Sequence, residues 1–290
     1  MNKQPEKIKL SVVILNHNTR DLLRQCLASL PTHSDYQTII VDNASADGSV
    51  EMVRKEFPKA EILARKVNDG YAKGNNAAKN LVKGKFVLFL NSDTKVYPKT
   101  LETMVEFMEN DPKTGVATCY VELPDGKFYY ACHRGFPTPL NSLLYFLGLP
   151  SSYKSSSWQS NKAHEIDACS GTFLLIRKNL LDKIGWFDED YFAYGEDIDM
   201  CFRAKELGYK VMFNPHVKIM HYWGASSGLK STSKNVTTAD AQNSQKWNHA
   251  RYEAMKIFYD KHYRNKYPEI FRIIIFAGIK LANWLRRNKD

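Results

Sequence analysis

Short unbroken apolar runs alternate with amphipathic stretches through the first third of the chain. Leu10-Ser11-Val12-Val13-Ile14-Leu15, Thr38-Ile39-Ile40-Val41, Glu61-Ile62-Leu63-Ala64 and Phe86-Val87-Leu88-Phe89-Leu90 are rich in β-formers and short, so they predict strands. The last reads as a strand buried on both faces. Leu22, Leu23, Cys26, Leu27 and Leu30 recur at helical spacing, with Asn18 or Thr19 available as N-cap. Further helices are predicted over Val50–Phe57, closed by Pro58, and over Ala77–Val82. Strands alternating with helices imply right-handed crossovers and a mostly parallel sheet covered on both faces. The pattern continues with a helix over Leu101–Met108 and strands over Gly115–Val121, Thr172–Ile176, Tyr209–Pro215 and Val217–His221.

Apolar runs in this chain stop abruptly in polar clusters: Asn16-His17-Asn18-Thr19, Asp42-Asn43-Ala44-Ser45 and Asn91-Ser92-Asp93-Thr94. Turn chemistry explains any one of them. Their recurrence points to ligand contact, because open α/β sheets bind ligands beyond the carboxyl ends of their strands. A Gly- and Asn-rich loop, Asn68-Asp69-Gly70-Tyr71-Ala72-Lys73-Gly74-Asn75-Asn76, follows the third strand. Ile198, Cys201, Phe202 and Leu207 place Glu196 and Asp197 in the first turn of a helix, where acidic residues suit the helix dipole. Glu196, Asp197 and Asp199 still repel one another, which favours a compensating ligand or a raised pKa. His221 ends a strand and, taken alone, is more simply structural.

Composition narrows the chemistry. The chain has 290 residues, 43% apolar and 25% charged, enough for one large or two modest domains. A net charge of +10 favours an anionic partner: nucleotide phosphate, nucleic acid or an anionic membrane. Neither G-x-G-x-x-G after the first strand nor a P-loop is present, so phosphate is best neutralised by a divalent cation, with Asp93 the leading ligand. Five dispersed cysteines fit a reducing cytosol. Leu10–Leu15 is too short for a signal-peptide core, and no run reaches the ~20 apolar residues of a membrane span.

Residues 123–165 read as an irregular stretch, too aromatic for disorder (Tyr129, Tyr130, Tyr145, Phe146, Trp158), and so as a mobile acceptor-side loop. The tail holds two helices. The first, over Asp240–His262, carries Trp247, Ala250, Ala254, Ile257 and Phe258. The second, over Ile270–Arg287, carries Ile270, Ile274, Ala277, Leu281 and Leu285 along one side. Arg272, Lys280, Arg286 and Arg287 lie near its other side, with Trp284 suited to a membrane interface. Such a helix lies in the headgroup plane, or packs on the domain or in a homodimer.

The ordered set of motifs resembles the inverting family 2 glycosyltransferases of the GT-A fold, most closely their bacterial rhamnosyltransferase-like branch. The matching stretches are Ser11–Asn18, Val41–Ser45, Asn68–Asn76, Asn91-Ser92-Asp93, Ser170-Gly171-Thr172-Phe173, Trp186–Glu189, Tyr194–Asp199 and His221. They run in the family's order from about residue 10 to 225. The resemblance implies an α/β GT-A domain over 1–230 and a C-terminal helical extension over 231–290. It implies transfer of a sugar, L-rhamnose from dTDP-rhamnose first and a UDP-hexose or galactofuranose second, to a glycan or lipid-linked glycan acceptor. The setting would be polysaccharide synthesis in the cytoplasm, on the inner face of the membrane.

By the same resemblance Asp42 contacts the nucleobase. Asn91 takes the first position of the D-x-D motif and contacts ribose, while Asp93 and His221 hold Mg²⁺ or Mn²⁺. Asn18, Asn43, Asn68, Gly70, Asn75, Ser92 and, through an acceptor-loop motif, Arg134 complete the donor site. Asp197 is the base, with Glu196 or Asp199 orienting the acceptor. A basic nucleic-acid-binding protein is the rival from another class, but it leaves these carboxylates unexplained and shows no binding motif, so no nucleic-acid partner is expected.

Overall fold

The structure, a computed structural model, describes residues 8–146, 149, 161–222 and 241–287. Strands β1 (Leu10–Asn16), β2 (Tyr36–Asp42), β3 (Glu61–Ala64) and β4 (Phe86–Asn91) are joined by α1 (Arg20–Ser29), α2 (Ser49–Glu56) and α3 (Tyr71–Asn76). They pair in parallel in the order β3-β2-β1-β4. Phe86, Val87, Leu88 and Phe89 of β4 are wholly buried, as its unbroken apolar run predicts. Burial of each such side chain contributes about 1.5–3 kcal/mol, so this strand anchors the core.

The second half is mixed. Next come β5 (Thr94–Val96), α4 (Thr100–Asn110), β6 (Thr114–Glu122), β7 (His133–Arg134), α5 (Pro139–Phe146), β8 (His164–Ile166) and β9 (Ala168–Cys169). After these follow β10 (Phe173–Arg177), α6 (Lys178–Ile184), α7 (Glu196–Glu206), β11 (Lys210–His221), α8 (Ala241–His262) and α9 (Glu269–Arg287). The sheet continues β4-β10-β6-β11-β5, with β8 also on β11, and β10 runs antiparallel to both its neighbours. Strands β7 and β9 form a separate small ribbon.

Several expectations change. The helix expected at Ala77–Val82 is instead α3, which starts at Tyr71 and lies inside the Gly/Asn-rich loop. Gly70 makes this possible: its φ is +90°, and a Cβ there would overlap the Phe192 carbonyl oxygen, which accepts the Tyr71 N–H at 2.7 Å. The two strands expected across 209–221 are one, β11, with a register shift between Asn214 and Lys218. Pro215, which cannot donate to a ladder, sits in that irregularity. The stretch 123–165 contains β7, α5 and β8 as well as loop. The Ser-rich tract with Trp158, the boundary near residue 230, and the side chains of Tyr145, Phe146, Trp247, Trp284, Leu285, Arg286 and Arg287 lie outside what is described. All five cysteines are buried and free, and no described helix is long and apolar enough to cross a membrane.

Candidate active site

The carboxyl ends of β1, β2 and β4 meet the first turn of α7 across one cleft. Its walls include His17, Asn43, Asn68, Gly70, Asn91, Ser92, Asp93, Arg134, Glu196, Asp197 and His221. The cleft is partly open to solvent and lined by both polar and apolar side chains, as small-molecule sites are.

Polar side chains below the cleft tie the strand ends together. Asn16 donates to Asp42 Oδ2 at 2.8 Å, Thr19 Oγ1 donates to Asn16 Oδ1 at 2.6 Å, and Thr19 meets Ser92 at 2.9 Å. Asp42 Oδ1 accepts the Ser45 N–H, and Asp42 is buried behind the residues that line the cleft, bracing them through Asn16. Asn43 donates to the Gly70 carbonyl and Asn68 Oδ1 and accepts from Arg65, which fixes the Asn68–Gly70 loop. Asn18 accepts the Ala46 N–H, and Asn75 is buried and donates to the Tyr71 carbonyl. Neither is part of the cleft wall.

At the end of β4, Asp93 is 1% exposed and neither carboxylate oxygen has a hydrogen-bond partner. His221 Nε2 lies 3.1 Å from Asp93 Oδ1, brought there by the pairing of β11 with β5. The Tyr129 ring stands edge-on to His221, at 5.2 Å between centroids. A buried carboxylate without donors is costly unless a cation meets it. One carboxylate and one imidazole facing a cleft could hold a divalent cation with further ligands from outside the protein. No described group of three or more His, Cys, Asp or Glu gathers to hold a metal ion.

On the opposite wall, three neighbouring carboxylates have three different fates. Tyr194 and Gly195 both have positive φ, at +66° and +85°, a strained entry that sets the start of α7. Asp197 Oδ2 accepts the Gly171 N–H at 3.0 Å and Oδ1 the Ile198 N–H at 2.8 Å. Glu196 is buried with Oε2 unpartnered, and burial, then the charge of Asp197, hold its carboxyl well above the usual range. Asp199 turns away from the cleft. Its Oδ2 accepts from Arg203 Nε at 2.7 Å, and its Oδ1 lies 2.7 Å from His262 Nε2 on α8.

The expected acceptor contact by Asp199 therefore loses its geometry: both oxygens are engaged inside the fold. Tyr71, Tyr129, Gly171 and Tyr194 also line the cleft; each falls in a stretch that the sequence singles out, but the motifs assign none of them a role. Nothing local marks Gly171 as a donor to a side chain 26 residues away.

The sequence model described as "Glycosyl transferase family 2" matches residues 11–185, well over half of the chain. The chain belongs to glycosyl transferase family 2. It is 24% identical over 245 residues to the N-acetylglucosaminyl-diphospho-decaprenol L-rhamnosyltransferase of Mycobacterium tuberculosis, covering 77% of this chain and 79% of that one. It is 23% identical over 218 residues to the rhamnosyltransferase WbbL of Escherichia coli, covering 73% and 82%. Among solved structures it resembles the mannosyltransferase PcManGT of Pyrobaculum calidifontis in complex with GDP-Man and Mn²⁺. That likeness has a TM-score of 0.59 at 18% identity and covers 95% of this chain and 70% of that one. The family 2 fold here is thus GT-A, a mixed sheet flanked by helices, and the chain is a glycosyltransferase.

Proposed function

We propose that this glycosyltransferase moves L-rhamnose from dTDP-rhamnose to a glycan or lipid-linked glycan acceptor, inverting the anomeric carbon, in bacterial surface polysaccharide synthesis. The donor is inferred from the two rhamnosyltransferase relatives. A UDP-hexose donor is the second reading, favoured by 23% identity over 304 residues to a poly(ribitol-phosphate) β-glucosyltransferase of Bacillus spizizenii. The chain spans less than half of that relative.

The observation that carries the reaction type is Asp93, buried without hydrogen bonds beside His221 on the cleft. Asp93 and His221 would hold a divalent cation, which supplies positive charge to the departing diphosphate. Asn43, Asn68, Gly70, Asn91 and Ser92 would receive the nucleoside, with Asp42 bracing them through Asn16. Asp197 remains the base. Each of its oxygens accepts one backbone N–H and keeps a lone pair for the acceptor proton. The acceptor oxygen then bonds to the anomeric carbon, its proton passes to Asp197, and the bond to diphosphate breaks. Glu196, with its raised pKa, orients the acceptor hydroxyl.

A hydrolysis panel of nucleotide sugars with Mg²⁺, Mn²⁺ or EDTA tests this. dTDP-rhamnose should turn over fastest, and EDTA should abolish turnover. A preference for a UDP-hexose would promote the second reading, and EDTA-resistant turnover would remove the cation from the site.

A further inference from the structure

Eleven large apolar side chains are strongly exposed among the described residues, and eight of them lie on or beside α5 and on α9. Leu140, Ile270, Ile273, Ile274 and Leu281 are each more than half exposed. Single exposed apolar residues need no explanation, but such a concentration does. Packing accounts for only one side of α9: Ile275 and Ile279 are buried at 8% and 2%, while the opposite side stays open. Helices α5 and α9 pack on each other, so their exposed residues lie on adjoining elements.

Charge points to what covers this region. The last 30 residues hold eight basic and two acidic residues, so +6 of the chain's +10 lies in about a tenth of its length. Lys280 is exposed beside the open stripe, and no described carboxylate lies within ion-pair distance of it. Arg272 is bonded to Asp260 at 2.7 Å and Glu269 at 3.0 Å, Lys261 is paired with Asp188 and Asp190, and Lys266 with Glu206, so none of these three is available to lipid. Two copies meeting through these basic tails would bring like charges together, whereas an anionic bilayer neutralises the charge and receives the apolar side chains.

We infer that α5 and the open side of α9 form one docking surface for an anionic lipid bilayer. Its purpose, though not its geometry, rests on the glycosyltransferase reading above. Arg134 of the cleft wall is five residues before Pro139, the first of α5, a span of at most about 18 Å. Docking therefore brings the bilayer beside the cleft, where the head of a lipid-linked acceptor can enter without leaving the membrane. Two adjoining helices also fix the tilt of the catalytic domain, which one amphipathic helix does not.

Co-sedimentation of the full chain with phosphatidylcholine vesicles, with and without phosphatidylglycerol and at low and high salt, tests the surface with no sugar nucleotide present. Binding should require phosphatidylglycerol and weaken with salt. The double substitution Leu140→Glu, Leu143→Glu should lower binding at least about tenfold although α9 is intact, and Ile270→Glu, Ile274→Glu should do the same. Lys280→Glu should lower it about fivefold. All three should keep the melting temperature and nucleotide-sugar hydrolysis of the parent. Absent vesicle binding, or full binding by the α5 variant, overturns the inference. So does a solution dimer, seen by light scattering, that the same substitutions dissociate, since it gives the face to a second copy. Vesicle binding without hydrolysis of any nucleotide sugar would refute the proposed function and leave the surface standing.

Discussion

Asp93 and Asp199 are each 1% exposed, and each faces a histidine, His221 at 3.1 Å and His262 at 2.7 Å. Around Asp199 the fold supplies everything the charge needs: Arg203 on one oxygen and His262 on the other. Arg203 in turn donates to the Ile184 and Trp186 carbonyls, so the group clamps α7, α8 and the loop after α6 together. Around Asp93 the fold supplies no hydrogen bond. A buried carboxylate that its own protein satisfies holds structure, while one left unsatisfied at the end of a strand is kept for something that arrives.

The contrast can be broken by the same chemical change at both places. Asp93→Asn should cut metal-dependent turnover by about 10²–10³-fold, the scale of losing a group that stabilises developing charge. Without metal, its melting temperature should hold or rise, because an unsatisfied charge has gone. A clear fall in melting temperature would mean that the fold itself needs the Asp93 charge. Asp199→Asn should do the opposite, losing on the order of 3–5 kcal/mol by denaturant unfolding, since Arg203 and His262 are left around a missing charge. Titration calorimetry should find its nucleotide affinity unchanged; a lost affinity with intact stability would return Asp199 to the site.

A smaller effect sharpens the middle case, Glu196. Its raised pKa favours the folded state below the ordinary carboxylate range, and that stability is lost as pH rises through the folded value. Glu196→Gln should therefore gain stability over the parent as pH increases from about 5, read as a widening difference in melting temperature. A constant difference across that range would mean that Glu196 is not held protonated. Smallest of all is the pair His133 and His164, with Nε2 atoms 2.9 Å apart. Burial, then His164, push His133 down to about 4. Its contribution is present above its unfolded pKa of about 6.5 and lost as pH falls through about 4, so His133→Gln should flatten the acid side of the stability curve. Identical acid limbs for variant and parent would remove the pair from that role.

Much of the parallel half was legible because it is written in local periodicity. The runs ending at Leu15, Val41 and Leu90 needed only neighbours in sequence to be read as strands, and of the polar residues after them His17, Asn43, Asn91, Ser92 and Asp93 line one cleft. What escaped depends on distant partners. Insertion of β10 between β4 and β6, and the small ribbon of β7 and β9, are pairings across many residues with no local pattern of their own. The start of α3 was hidden because contact between Gly70 and Phe192 overrides the loop propensity of Gly and Asn. Asp199 read as a site residue because its satisfying partner, His262, lies 63 residues later on another helix.

The irregularity in β11 makes the proposed cation site a matter of register. Between Asn214, which pairs with Cys119, and Lys218, which pairs with Tyr120, three residues of β11 leave the ladder. Side chains alternate faces along a strand, so the number of residues set aside decides whether His221 or a neighbour looks toward Asp93. Removing one residue from Pro215-His216-Val217, with three still set aside, would bring Tyr222 to the place of His221 without touching either proposed ligand. Removing two would return the histidine to the same face but leave it two residues, roughly 7 Å, short of its place. The length of this short segment thus decides whether the histidine reaches the carboxylate, and changes there can silence the enzyme while every residue on the cleft wall is retained.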